Sequence, residues 1–168
     1  MIRNVAYGVP APPSPEKHIE LDDADRAIIS ALSTDGRLSM RALAEHIHLS
    51  RAGVYARVNR LEKLGVITGY TAVIEPTRLG YGVSAYIYLR IAQQSWKSVQ
   101  QRISEIPEVE HAALISGDDD LALLVRTTDA ASLRDLVLTR LQTMPDVVST
   151  KTVLILDELQ RPRQVRTH

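Results

Sequence analysis

The chain has 168 residues, 45% of them hydrophobic, and its 20 basic and 20 acidic side chains cancel to a formal net charge of zero. That length admits one ordinary domain or two small ones, and the apolar fraction excludes wholesale disorder. The absence of cysteine excludes disulfide staples, thiolate metal sites and thiol nucleophiles; no apolar run approaches the ~20 residues that cross a bilayer, and no basic-then-apolar leader is visible, so a soluble cytoplasmic protein is expected.

Residues 1–18 hold Pro10, Pro12, Pro13 and Pro15 with little apolar periodicity and read as a flexible tail. From Leu21 the pattern turns helical. Leu21, Ala24, Ile28 and Leu32 lie on one helical face, with Asp22 as N-cap and Asp35-Gly36 as the stop. Ser39 caps a short second helix carrying Leu43, Ala44 and Ile47. His48-Leu49-Ser50 is a tight connection, and Ser50 caps a third helix that runs to about Leu64 and ends at Gly65. Val66 to Ile74 then reads as an extended arm, interrupted by Gly69. Helix-turn-helix plus arm spans 20–75, and the domain boundary falls near 76–82.

The third helix has two faces. Val54, Val58, Leu61 and Leu64 share an apolar sector at ~100° per residue. The opposite face presents Ala52, Tyr55, Ala56, Asn59, Arg60 and Lys63. Small residues permit close approach to a groove, Asn59 can pair bidentately with adenine, and Arg60 can meet guanine or phosphate. An ordinary amphipathic helix with a solvated charged face gives the same wheel. Context favours the nucleic-acid reading: Arg37, Arg41, Arg51, Arg57, Arg60 and Lys63 against Glu45 and Glu62 leave this segment at +4 in a neutral chain. Arg37 and Arg51 flank the helix and suit phosphates better than base edges. Arg57 sits beside the apolar sector, where an ion pair within the protein and a phosphate contact are both open.

The second half alternates strands and helices over 82–158. Val83–Ile91 is a strand. Trp96, Val99, Ile103 and Ile106 mark a helix. Val109–Ile115 and Leu121–Val125 are strands joined through Gly117-Asp118-Asp119-Asp120. Leu133, Leu136, Val137 and Leu141 mark a second helix, and Val147–Leu156 is the last strand. The order β-α-β-β-α-β is the ferredoxin-like arrangement, so the fold class is α+β. Ile103-x-x-Ile106-Pro107-Glu108-Val109 is echoed by Leu141-x-x-Met144-Pro145-Asp146-Val147, as two similar halves require. Two helices cover one face of such a sheet. The other face, with Tyr86 and Tyr88, then wants a second copy of the chain, unless those tyrosines are merely solvent-tolerant. The end, 159–168, is a basic tail with Arg161, Arg163 and Arg166; a solvated tail and a supplementary phosphate contact are both open.

Several stretches together resemble the Lrp/AsnC, or feast/famine, family: Leu21-Asp22-x-x-Asp25-Arg26-x-Ile28, Asp35-Gly36-Arg37, Leu43-Ala44, Leu49-Ser50 through Val54, Arg57-Val58, Arg60-Leu61, and Gly65-Val66-Ile67-x-Gly69-Tyr70. The resemblance covers roughly 20–158. It implies a transcription regulator that binds double-stranded DNA through its N-terminal helix-turn-helix, with Arg37, Ser39, Ser50, Arg51, Ala52, Tyr55, Ala56, Asn59, Arg60 and Lys63 as candidate contacts. It also implies a C-terminal domain that dimerises, often onward to octamers, and binds a small effector such as an amino acid. In the family a glycine followed three positions later by aspartate lies in the effector cleft, which points to Gly117, Asp118, Asp119 and Asp120 here. A glycine turn offers N–H groups to a ligand carboxylate, and Asp120 would hold the ammonium. An acidic hairpin turn explains the same residues without a ligand. Relatives often place an aromatic or apolar residue where Asp119 stands, so a zwitterionic or cationic effector, or loss of the usual one, is expected.

No phosphate-cradling loop is present. His46 and His48 point apart on a helix, His111 reads as a sheet residue, and no metal or cofactor is expected. Some proteins on this two-domain plan are decarboxylases of tetrapyrrole synthesis, but their many-carboxylate substrates need basic pockets, and this turn is acidic; no catalytic residue is assigned. A DNA-architectural protein without an effector is the other alternative.

Overall fold

The computed structural model describes residues 19–92 and 96–158. The proline-rich tail 1–18 and the basic tail 159–168 lie outside these residues. Two compact units divide the described chain near residues 73 and 74.

The first unit is three helices: α1 (Asp23–Thr34), α2 (Met40–His46) and α3 (Arg51–Lys63). Each start is set by a cap. Asp22 Oδ1 accepts the Asp25 N–H at 2.8 Å, and the Asp25 carboxylate accepts the Asp22 N–H in return, closing a capping box. Ser39 and Ser50 Oγ accept the N–H groups of Ala42 and Gly53, each at 3.1 Å. The core is Ile28, Leu32, Leu43, Ala44, Val54, Val58 and Leu61, the apolar faces of the three helices turned inward. Gly65, with φ +70°, ends α3 in the left-handed region. His48, in the α2–α3 connection, also has a positive φ of 56°. The arm 66–74 forms no strand. Within its own unit no strand lies beside it to pair with, so an extended sequence pattern stays unladdered. Tyr70 nonetheless returns to α3, its hydroxyl donating to Glu62 Oε1 at 3.0 Å. Burial first, and Glu62 second, push the Tyr70 phenol up from its ordinary pKa.

After a 3₁₀ turn (Pro76–Leu79), the second unit is β1 (Val83–Ile91), α4 (Trp96–Ser104), β2 (Val109–Leu114), β3 (Leu121–Thr127), α5 (Ala130–Asp135) and β4 (Val147–Leu154). The sheet is antiparallel, ordered β2-β3-β1-β4, which is the ferredoxin-like arrangement. Ala85, Ile87 and Leu89 on β1 and Leu121, Leu123 and Val125 on β3 are fully buried beneath the helices with Val99, Ile103, Leu136 and Leu141. Helix α5 does not run on as α. Leu136–Leu141 is a π turn in which Gln142 N–H reaches back five residues to the Val137 carbonyl at 2.9 Å. The wider turn brings Leu136 and Leu141, five apart, into one core. The internal echo is structural. Ile106 N–H bonds Ile103 O and Val109 N–H bonds Ile106 O; Met144 to Leu141 and Val147 to Met144 repeat the pair. The face opposite the helices carries Tyr86, Tyr88, Leu124, Lys151 and Val153, with Tyr86 and Val153 40% and 46% exposed.

Candidate nucleic-acid interface and effector turn

Helix α3 sorts its polar residues by partner. Arg57 leans back onto α1: one guanidinium nitrogen lies 2.7 Å from Asp22 Oδ2 and 2.8 Å from Asp25 Oδ1. The choice open for Arg57 thus resolves to an ion pair within the protein. Arg60, expected on the DNA-facing side, is corrected by the structure. Its guanidinium also turns to α1, 3.1 Å from Asp25 Oδ2 and 3.3 Å from the Glu20 carbonyl. The reason is position: the two arginines lie three apart, on the same side of α3, opposite the acidic first turn of α1. The Asp25 side chain is 1% exposed between them. Hydrogen bonding from the Asp25 N–H, then from Arg57, holds the Asp22 carboxyl below its usual range. The same acids, Asp22 first, raise the Arg57 pKa.

What remains outward on α3 is Arg51, Ala52, Tyr55, Ala56 and Lys63, all exposed, with Asn59 half-buried beside them. Arg37 is exposed before α2. No described residue pairs with the side chains of Arg37, Arg51, Asn59 or Lys63. Ser39 and Ser50 sit at the helix starts as caps. Arg41 pairs with Glu45 at 3.0 Å on the surface. The six cations counted in the sequence therefore reduce to three without a carboxylate: Arg37, Arg51 and Lys63.

In the second unit, Gly117 to Asp120 form the turn between β2 and β3. Gly117 has φ +141°, a conformation that side-chain-bearing residues rarely adopt, and is exposed. The N–H groups of Gly117, Asp118 and Asp119 have no acceptor among the described residues. The three acids differ. Asp120 Oδ2 accepts the Ile91 N–H at 2.8 Å, and Asp120 N–H donates to the Leu89 carbonyl, tying the turn to the end of β1. Asp119 Oδ2 pairs with Lys151 Nζ at 2.9 Å. The Asp118 carboxylate has no described partner, while its backbone carbonyl accepts two bonds from Arg90 at 3.1 and 2.6 Å. Lys151 also lies over the Tyr88 ring, 4.7 Å from its centroid. Hydrogen bonding to Asp119 is the chief reason the Lys151 pKa is raised.

Sequence reasoning missed Arg90, Lys151 and Tyr88 as neighbours of this turn. Only strand register shows that Lys151 stands opposite Tyr88 and that Tyr88 stands opposite Ala122. It also missed Arg126, buried on β3, whose guanidinium meets Glu110, Ser84 Oγ at 2.8 Å and Glu158 at 3.0 Å. Burial opposes that charge, but the two carboxylates outweigh it and raise the Arg126 pKa. Among the described residues, no group of three or more His, Asp or Glu is placed to hold a metal ion, and no helix is long and apolar enough to cross a membrane.

Residues 21–68 match the winged helix-turn-helix DNA-binding model, and residues 84–165 match the Lrp/AsnC ligand binding domain. The chain is 37% identical over 145 residues to the regulator LrpA of Mycobacterium tuberculosis, covering 86% of this chain and 95% of that one. It is 34% identical to the proline dehydrogenase transcriptional activator of Rhodobacter capsulatus, covering 82% and 91%. Among solved structures, that of a Neisseria meningitidis transcriptional regulator in complex with L-Met superposes with a TM-score of 0.83 at 26% identity, over 88% of this chain and 97% of that one. The chain belongs to the Lrp/AsnC family: it is a transcriptional regulator, not an enzyme, built from a DNA-binding helix-turn-helix and an Lrp/AsnC ligand-binding domain.

Proposed function

We propose that this regulator acts in the cytoplasm as a homodimer that lays α3 in the major groove, and that an amino acid seated at the 117–120 turn alters its DNA affinity or assembly. The observation that carries the DNA reading is the division along α3. Arg57 and Arg60 are held by α1, while Ala52, Tyr55, Ala56, Asn59 and Lys63 are left outward with Arg51. Small residues for approach, one amide for base reading and terminal cations for phosphate are what a recognition helix needs. Arg37 and the helix starts at Ser39 and Ser50 flank it, where N–H groups and cations suit phosphates. The half-exposed sheet face with Tyr86, Leu124 and Val153 supports the dimer. The free N–H groups of the turn beside its carboxylates suit a zwitterion, and the relative crystallised with L-Met supports an amino acid.

Selection of binding sites from random duplex DNA tests the reading. Enrichment of a near-palindrome with half-sites about one helical turn apart, or a multiple, is expected. Asn59→Ala should cost roughly 1–3 kcal/mol on that site and relax one base position. No enrichment with folded protein, with and without amino acids, overturns it.

A further inference from the structure

An ammonium ion in water is recognised by a carboxylate and an aromatic face together. This molecule builds one such seat at the 117–120 turn, from Asp119, whose side chain is 16% exposed, and the Tyr88 ring. The seat is filled by the protein's own Lys151, 2.9 Å from the carboxylate and 4.7 Å from the ring centroid. Asp120 offers no equal alternative, because one of its oxygens already holds the Ile91 N–H.

We propose that Lys151 is a built-in occupant of the effector's ammonium seat, and that an incoming amino acid binds by displacing it. The inference rests on the effector reading above. On displacement, the Asp118 carboxylate, without a described partner and within electrostatic reach of Lys151, takes the lysine ammonium. The ligand's ammonium meets Asp119 and Tyr88, and its carboxylate meets the free N–H groups of the turn. The seat therefore selects ligands with a primary ammonium, and the resident lysine sets how much of it is needed. A ligand without an ammonium gains nothing from its removal.

Calorimetric titration of the full chain with L-methionine, L-leucine, L-phenylalanine, L-lysine and N-acetyl-L-methionine tests this. Lys151→Met keeps the aliphatic stem and removes the charge; at 61% side-chain exposure it does not disturb the core. Losing one exposed ion pair and one cation–π contact corresponds to a gain of roughly three- to thirtyfold in affinity for the amino acid that binds. N-acetyl-L-methionine should show no gain, and Asp119→Asn should weaken binding whether or not Lys151 is present. Unchanged or weaker binding in Lys151→Met, with wild type still binding, overturns the displacement while leaving the effector reading intact. An equal gain for the N-acetyl compound also overturns it. No amino acid binding to either protein overturns both.

Discussion

The start of α1 and the β2–β3 turn are both acidic, yet they use their carboxylates in opposite ways. Asp22 and Asp25 draw two arginines off the recognition helix and lock them into the scaffold. At the turn, Asp119 holds a lysine that is 61% exposed, and Asp118 holds no described side chain. The first cluster converts charges that look functional into structure. The second keeps charges loosely engaged, where a ligand can compete for them. A charged residue near a site is thus informative only after its partners inside the fold are known, because a buried or multiply bonded ion resists recruitment by an outside partner.

The sharpest way to break this comparison is Asp25→Ala. With the shared carboxylate gone, Arg57 keeps only Asp22, and Arg60 loses its carboxylate partner. The N-terminal unit should lose roughly 2–4 kcal/mol in chemical denaturation, below the full value for a buried pair because both arginines remain partly exposed. The same cluster predicts the acid response. The Asp22 pKa is lowered, so its contribution is fully present above the ordinary carboxylate range and fades as pH falls through the lowered value. Helical signal from this unit should persist through the pH range where free carboxylates protonate and fall below it. Stability of Asp25→Ala equal to wild type would return the two arginines to the DNA-facing set.

Salt dependence of DNA binding reads the division of the cations directly. Lys63→Ala should reduce the slope of log affinity against log salt by about 1 and weaken all sequences alike. Arg60→Ala should leave the slope unchanged, since its guanidinium faces Asp25. Equal slopes for both variants would erase the distinction drawn along α3.

Much of this was legible in the sequence because it depends on local periodicity. The caps Asp22, Ser39 and Ser50, the apolar faces of the helices and the echo around Pro107 and Pro145 involve residues within a few positions of one another. The inward turn of Arg60 was not legible, because it depends on Asp25, 35 residues away. A reader could have suspected it from two arginines three apart on a helix that packs against an acidic capping box. The Lys151 seat was less accessible still: it needs the register of β1 against β4, and alternation fixes a strand's faces but not its neighbour's offset. His48 gave no signal either; nothing in its residue type announces a left-handed backbone. The π turn at Leu136–Leu141 was hidden for a related reason, since apolar residues at 133, 136, 137 and 141 fit an α-helical stripe equally well.

The smallest effects lie within the acidic turn, and they decide whether its three aspartates are interchangeable. If the run simply serves as a polar hairpin, each substitution should cost about the same. The geometry says otherwise. Asp120→Ala removes the acceptor of the Ile91 N–H at the irregular end of β1, where the register with β4 shifts between Arg90 and Ile91. That N–H has no ladder partner to fall back on, so a cost of about 1–2 kcal/mol is expected by thermal denaturation. Asp118→Ala removes a carboxylate that no described side chain contacts, while the carbonyl that holds Arg90 stays in place. Its effect should stay within about 0.5 kcal/mol. A ranking with Asp118 above Asp120 would mean that Arg90 and Lys151 are organised by the Asp118 side chain, and the turn would then be a closed structural cluster like the one on α1.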